Sequence, residues 1–295
     1  MRRLQRTVKT AYLTTLTRLH VTGQHFAVGR KSTLPPNLIS PTVPTLLHAK
    51  PILQLTRLQH LAVDNLNHLS TAGLADIASL TQLTSMDIGL LYIHNAEAPE
   101  VMSALAAMPL KSLGVVPYGQ APGAVDGDMH PAHTATVVGS MLSQLTGLTS
   151  LMVAMGWYAW SDLAASLAHL TGLQELVLQC DGGDGFAYDD TGVSGNMEDC
   201  ESFASTIVGL EQLRSLKAIA GWFGGWGAED GQHPIMRLQA ATQLTFLDLF
   251  DLHTAGGKPC TQAPAWPELL QSLPGIKLGA SWLCCGTFDS CNAAQ

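Results

Sequence analysis

The chain has 295 residues, a net charge of −8 and only 13% charged residues, about half the charged share usual for a globular protein. That length suffices to bury a large core, and the negative balance argues against non-specific nucleic-acid binding. No apolar run approaches the roughly 18 residues of a membrane helix, so no membrane span is expected.

The charge is unevenly divided. Residues 1–63 hold nine Lys and Arg and no acid, whereas residues 64–295 hold six Lys and Arg and all twenty-three acids. An acid-free amino end rich in Arg and Thr has the composition of an organelle transit segment. The same stretch contains Leu13, Leu16, Leu19 and Val21, a spacing that recurs down the chain, so a first repeat is the competing reading. Four prolines stand within residues 35–44, and Leu34–Pro44 therefore reads as a linker or extended loop. Residues 1–50 are set apart on these grounds as a basic amino-terminal segment.

From residue 51 the chain is organised by a nonamer. LTGLTSLMV at 145–153 returns as LTGLQELVL at 170–178, 25 residues on. The template is an apolar residue at offsets 0, 3, 6 and 8. Its last two anchors, one residue apart, have the period of a strand with one buried face. The template recurs as Leu55, Leu58, Leu61, Val63; as Leu80, Leu83, Met86, Ile88; and as Ala107, Leu110, Leu113, Val115. Later copies are Leu210, Leu213, Leu216, Ala218; Ala241, Leu244, Leu247, Leu249; and Leu270, Leu273, Ile276, Leu278.

Strands are predicted at 60–64, 85–89, 112–116 and 150–154, and helices at 71–79, 97–107, 132–144, 162–169, 198–209 and 265–272. Pro99 suits a first helical turn, and Ser161 is placed as an N-cap. Loops rich in Gly, Pro, Asp or Trp are expected at 117–131, 180–197 and 220–233. Residues 281–295 form a Cys-containing tail.

The repeated LTxLxxLxL resembles the leucine-rich repeat family, over about 50–280 and, with the first copy, 10–280. Thr71–Leu80 resembles the helix-bearing variants of that family, including those of F-box adaptors. The resemblance implies an α/β leucine-rich-repeat solenoid, a horseshoe of about eight or nine irregular repeats. Short parallel strands would line its concave face and helices its convex face. One position departs from the family. Three residues past each last anchor, where Asn, Cys or Thr is usual, stand Leu66, Leu91, Tyr118, Gly156, Asp181, Gly221 and Leu252. A ladder of polar turn hydrogen bonds is therefore not expected.

The function implied is protein–protein interaction, without catalytic residues or a cofactor. A substrate-recognition subunit of a ubiquitin ligase and a structural component of a cilium or organelle are the alternatives. A cytoplasmic location is expected, with an organelle or the ciliary axoneme as alternatives. The outward strand positions include Asp87, Met152, Glu175, Lys217, Phe246, Asp248 and Phe250. Four residues past the last anchors come Asn67, Tyr92, Gly119, Trp157, Gly182, Trp222 and His253, so Tyr92, Trp157 and Trp222 would share one edge. Trp160 and Trp226 lie in the adjoining loops. Large aromatics in such loops serve as binding anchors or fold back as core.

Candidate ligands for metals are few. His130 and His133 flank Pro131 beside Asp126 and Asp128, and Asp181–Gly185 with Asp189 and Asp190 does not match the EF-hand spacing. Cys180, Cys200, Cys260, Cys284, Cys285 and Cys291 form no C-x-x-C pair, and free thiols are expected. No G-x-S-x-G, P-loop or GxGxxG motif is present. Elemental analysis of the purified protein is expected to find neither stoichiometric zinc nor calcium; one tightly held ion per chain would refute these readings.

Overall fold

The computed structural model describes residues 14–21, 26–66, 69–93, 98–119, 139, 142–154, 160–179, 197–219, 234–250, 269, 271–273 and 275–278. The chain divides into two compact units, Met1–His130 and Pro131–Gln295. The division falls in the Gly- and Pro-rich stretch 117–131.

The first unit carries five strands: β1 (Arg18–His20), β2 (Ser40–Thr45), β3 (His60–Asn65), β4 (Ser85–Ile93) and β5 (Ser112–Gly119). Each is parallel to the next. Between them run helices α1 (Lys50–Leu53), α2 (Thr71–Ala78) and α3 (Ala98–Ala106), with α1 against α2 and α2 against α3. The second unit repeats the plan. Its strands are β6 (Ser150–Ala154), β7 (Glu175–Gln179), β8 (Ser215–Ile219), β9 (Phe246–Phe250) and β10 (Lys277–Leu278). They too pair in parallel. Among the described residues its longer helices are α4 (Trp160–Leu167) and α5 (Met197–Gly209), followed by a 3-10 helix at Pro234–Ala240. Each unit is thus an α/β leucine-rich-repeat solenoid.

The anchors of the template explain the core. Leu55, Leu58, Leu61 and Val63 are buried, as are Leu145, Leu148, Leu151 and Val153, and Leu170, Leu173, Leu176 and Leu178. Register puts like anchors side by side: Leu61 opposite Met86, Met86 opposite Leu113, Leu151 opposite Leu176, Leu176 opposite Leu216. The helices add Leu74 and Ile77 from α2, and Phe203, Ala204 and Ile207 from α5. Helix α2 starts at Ser70, whose Oγ accepts from the Gly73 N–H at 3.2 Å, a side-chain cap of the ordinary kind. Ser161, by contrast, is the second residue of α4 rather than its cap.

Neighbouring repeats are joined by one recurring device. Among the described residues, the carbonyl of the residue before seven of the strands accepts two successive N–H groups of the next repeat, while that of Thr245, before β9, accepts one, from Lys277. Thr17 accepts from Ile39 and Ser40 at 2.8 and 3.2 Å, Ile39 from Gln59 and His60 at 3.0 Å each, and Gln59 from Thr84 and Ser85 at 2.9 and 3.0 Å. Thr84, Thr149, Gln174 and Arg214 do the same for the repeats that follow them. Both lone pairs of the oxygen are used. Side chains add a second tie. Gln82 donates to the Leu55 carbonyl at 3.4 Å and Gln243 to that of Leu210 at 3.1 Å, each reaching back to the first anchor of the preceding repeat.

Four expectations are corrected. The Pro-rich stretch 34–44 is not a linker. It holds β2, paired on both sides, and Pro35, Leu38, Pro41 and Val43 fill the four anchor positions, all buried. The gap of 42 residues between Leu13 and Leu55 therefore contains a complete short repeat. Ala107 is exposed, and Met108 is buried in its place. The spacing to Leu110 is one residue shorter than the template. In the last copy Leu278, not Ile276, stands opposite Leu247. Gly275 there has φ 88°, in the left-handed region that favours glycine. Finally, β4 runs on past residue 89 and β5 past 116. An irregularity between Ile88 and Leu91 shifts their pairing, so that Tyr92 faces Tyr118 rather than Gly119. Gly89 sits at this point, where an added Cβ would come within 2.7 Å of the Asp64 carbonyl oxygen.

Three residues past the last anchor, three repeats of the first unit carry leucine. Leu46, Leu66 and Leu91, each three residues past a last anchor, are buried. Most of the helices expected at 132–144 and 265–272 lies outside the described residues, although 142–144 and 271–272 are helical.

Leu151→Ala and Leu176→Ala are each expected to destabilise the protein by roughly 2–5 kcal/mol. Denaturant melts that leave both midpoints unmoved would contradict the paired burial of these two side chains.

Candidate functional site

Because anchors at offsets 6 and 8 turn inward, the residues beside them turn out. In the second unit the outward positions form rows that cross the strands in register. One runs Met152, Val177, Lys217, Asp248 over β6, β7, β8 and β9; another runs Ser150, Glu175, Ser215, Phe246, Lys277 over β6 to β10. Met152, Val177 and Phe246 are half-buried, while Glu175 and Lys277 are exposed.

The centre of the first row is an ion pair. Lys217 Nζ lies 3.5 Å from Asp248 Oδ2. Asp248 was expected to be an open surface position, but only 3% of it is exposed. The lysine remains about one-third exposed. A carboxylate removed from water beside a cation that keeps contact with it orders this part of the face. Sequence reading sees an Asp at an outward offset; its burial depends on what surrounds it in space.

In the first unit a smaller polar cluster occupies β3 and β4. His60 and Ser85 are direct register partners, and His60 Nδ1 is 2.7 Å from Ser85 Oγ. His60 Nε2 lies 3.4 Å from Asp87 Oδ2. Asp87 is two residues after Ser85 and so shares its face. Asp87 stands out in the sequence as an outward acid; the 25-residue step between repeats aligns His60 with Ser85, but nothing in that step shows that the imidazole touches both Ser85 and Asp87.

The remaining site residues are distributed as follows. Met152, Glu175, Lys217, Phe246, Asp248 and Phe250 all lie on the second unit's strands, and Asp87 on the first unit's β4. Phe250 closes β9, with its Cα opposite Ile219. Tyr92 is in β4 opposite Tyr118, a pairing the sequence offsets missed because of the local irregularity. Trp160 opens α4. Trp157, Trp222 and Trp226 lie outside the described residues, as do His130, His133, Asp126, Asp128, the 181–190 acids, and all the cysteines except Cys200 of α5. Among the described residues no group of three or more His, Cys, Asp and Glu could hold a metal ion. No helix among them is long and apolar enough to cross a membrane.

No protein-family model matches the sequence, and no curated protein sequence matches it. Among solved structures the chain is similar to an internalin from Listeria monocytogenes, with 17% identity and a TM-score of 0.37. The likeness covers 82% of this chain and 61% of that one, so this chain spans about three-fifths of the internalin's length.

Lys217→Ala is expected to cost about 1–3 kcal/mol, since it withdraws a cation from a buried carboxylate. Glu175→Ala, at an exposed position two strand residues away in register, should stay within about 0.5 kcal/mol of the parent. Equal thermal midpoints for the two variants would show that the Lys217–Asp248 pair contributes no more than an ordinary surface charge.

Proposed function

We propose that the protein works by recognising another protein, and that the outward sheet face of the second unit is the docking surface. The observation that supports this is the row Met152–Val177–Lys217–Asp248 with Phe246 beside it. Apolar side chains left half-exposed around an ordered ion pair combine contact area with a fixed charge. That is the composition of an interface core with a polar reader. The repeat register holds this surface on strands rather than loops, so a partner meets a preformed template and loses little entropy in ordering it. Trp157, Trp160, Trp222 and Trp226 of the same unit are proposed as additional anchors, and Tyr92 as an anchor of the first unit by itself. Their rings would bury much area with few rotatable bonds.

The test is affinity capture with tagged protein, followed by quantitative comparison of variants. Met152→Glu combined with Phe246→Glu should reduce the captured partner by about tenfold or more, as two interface-core positions would. The thermal midpoint should be nearly that of the parent. Trp157→Ser with Trp222→Ser should weaken capture in the same way if the aromatic edge binds. Retention of the full partner set by the first double variant would refute docking on this face. A collapse of the midpoint in the second would assign the tryptophans to the core.

A further inference from the structure

The His60–Ser85–Asp87 cluster of the first unit takes no part in the proposed docking. It has the connectivity of an activated nucleophile. Imidazole has one proton when neutral, and its two nitrogens have opposite roles. The Asp87 carboxylate faces Nε2 at 3.4 Å, which favours the ring proton there. Nδ1 is then the acceptor, and the Ser85 hydroxyl, 2.7 Å away, donates to it. The serine proton thus points at a base that is itself oriented by a carboxylate. Such an arrangement is recognised by roles and geometry, not by sequence order.

The positions are set by the sheet. Strand register places His60 opposite Ser85, and alternation places Asp87 on the same face as Ser85. On the other side of β4 the register brings Ser112 beside Ser85 and Gly114 beside Asp87. Only a hydroxymethyl group and a bare backbone therefore flank the nucleophile from β5. His60 and Asp87 keep 30% and 45% of their side-chain surface exposed, so a small reagent can reach the group from solvent.

We propose that Ser85 is an acyl-accepting nucleophile, with His60 as its general base and Asp87 as the residue that positions the ring, and that its co-reactants are activated esters. In the step, Ser85 Oγ bonds to the ester carbonyl carbon and the bond from that carbon to the leaving alkoxide or phenoxide breaks. The serine proton passes to His60 Nδ1 and from there to the leaving oxygen. The products are an O-acyl serine and the free alcohol or phenol. No oxidant or metal is required.

The probe is p-nitrophenyl acetate, applied to the full chain, with acetyl groups located by peptide mass spectrometry. Ser85 should be acetylated at least about a hundredfold faster than Ser112 in the same molecules, the lower end of general-base assistance. His60→Gln should bring Ser85 down to the level of Ser112. Asp87→Asn should slow Ser85 acetylation, and Asp87→Glu should recover part of it, which a loss of packing alone would not produce. Ser112→Ala should leave the Ser85 rate unchanged. Acetylation of exposed Lys111 serves as the reagent control. If Lys111 is modified while Ser85 is no faster than Ser112 in the parent protein, the assignment is overturned. It is equally overturned if Ser85 reacts as fast in His60→Gln as in the parent.

Discussion

Everything else in these two units depends on an oxygen that takes two hydrogen bonds. Before β1 to β4 and β6 to β8, this carbonyl accepts the last N–H outside the next strand and the first N–H inside it. One bond would fix the distance between repeats and leave a rotation free. Two bonds to successive amides also fix the direction in which the next strand departs. Each strand that follows such a clamp therefore begins at the same height as its neighbour, and outward side chains fall into rows. The Met152–Asp248 row and the His60–Ser85 contact are both consequences of that alignment.

The apolar anchors give this geometry its stability. Each fully buried Leu contributes about 1.5–3 kcal/mol, and each repeat buries its anchors against those of the repeats beside it. No single repeat closes a core alone. Variation is consequently confined to the segments between the clamps. The step from one first anchor to the next is 25 residues between Leu145 and Leu170 but 40 between Leu170 and Leu210, yet β6, β7 and β8 pair in unbroken register.

The architecture was legible wherever the anchors were Leu, Ile, Val or Met. It was hidden where the same positions were filled by other means. Pro35 and Pro41 are buried as an anchor Leu would be, but proline reads as a breaker, so in the sequence the repeat they belong to has the look of a linker. Met108 lies one residue off the template, so the exposed Ala107 was read as its anchor. The site was legible in part. Period-two alternation identified the outward positions, including all five of the second unit's described site side chains. The repeat offsets also pair them across β6 to β9, but fail past Ile88, where the pairing of Tyr92 with Tyr118 is decided by an irregularity that leaves no count in the sequence. The 25-residue step aligns His60 with Ser85, but that the ring touches Ser85 through one nitrogen and Asp87 through the other is a matter of side-chain geometry that no spacing carries.

The buried leucines at 46, 66 and 91 change how the first unit responds to temperature. In a polar ladder, turns are held by hydrogen bonds. Here the turns are held by side chains sequestered from water, and that attraction is almost wholly entropic near 25 °C and weakens on cooling. The spine of this unit therefore grips more firmly as the protein warms through the ambient range and slackens in the cold.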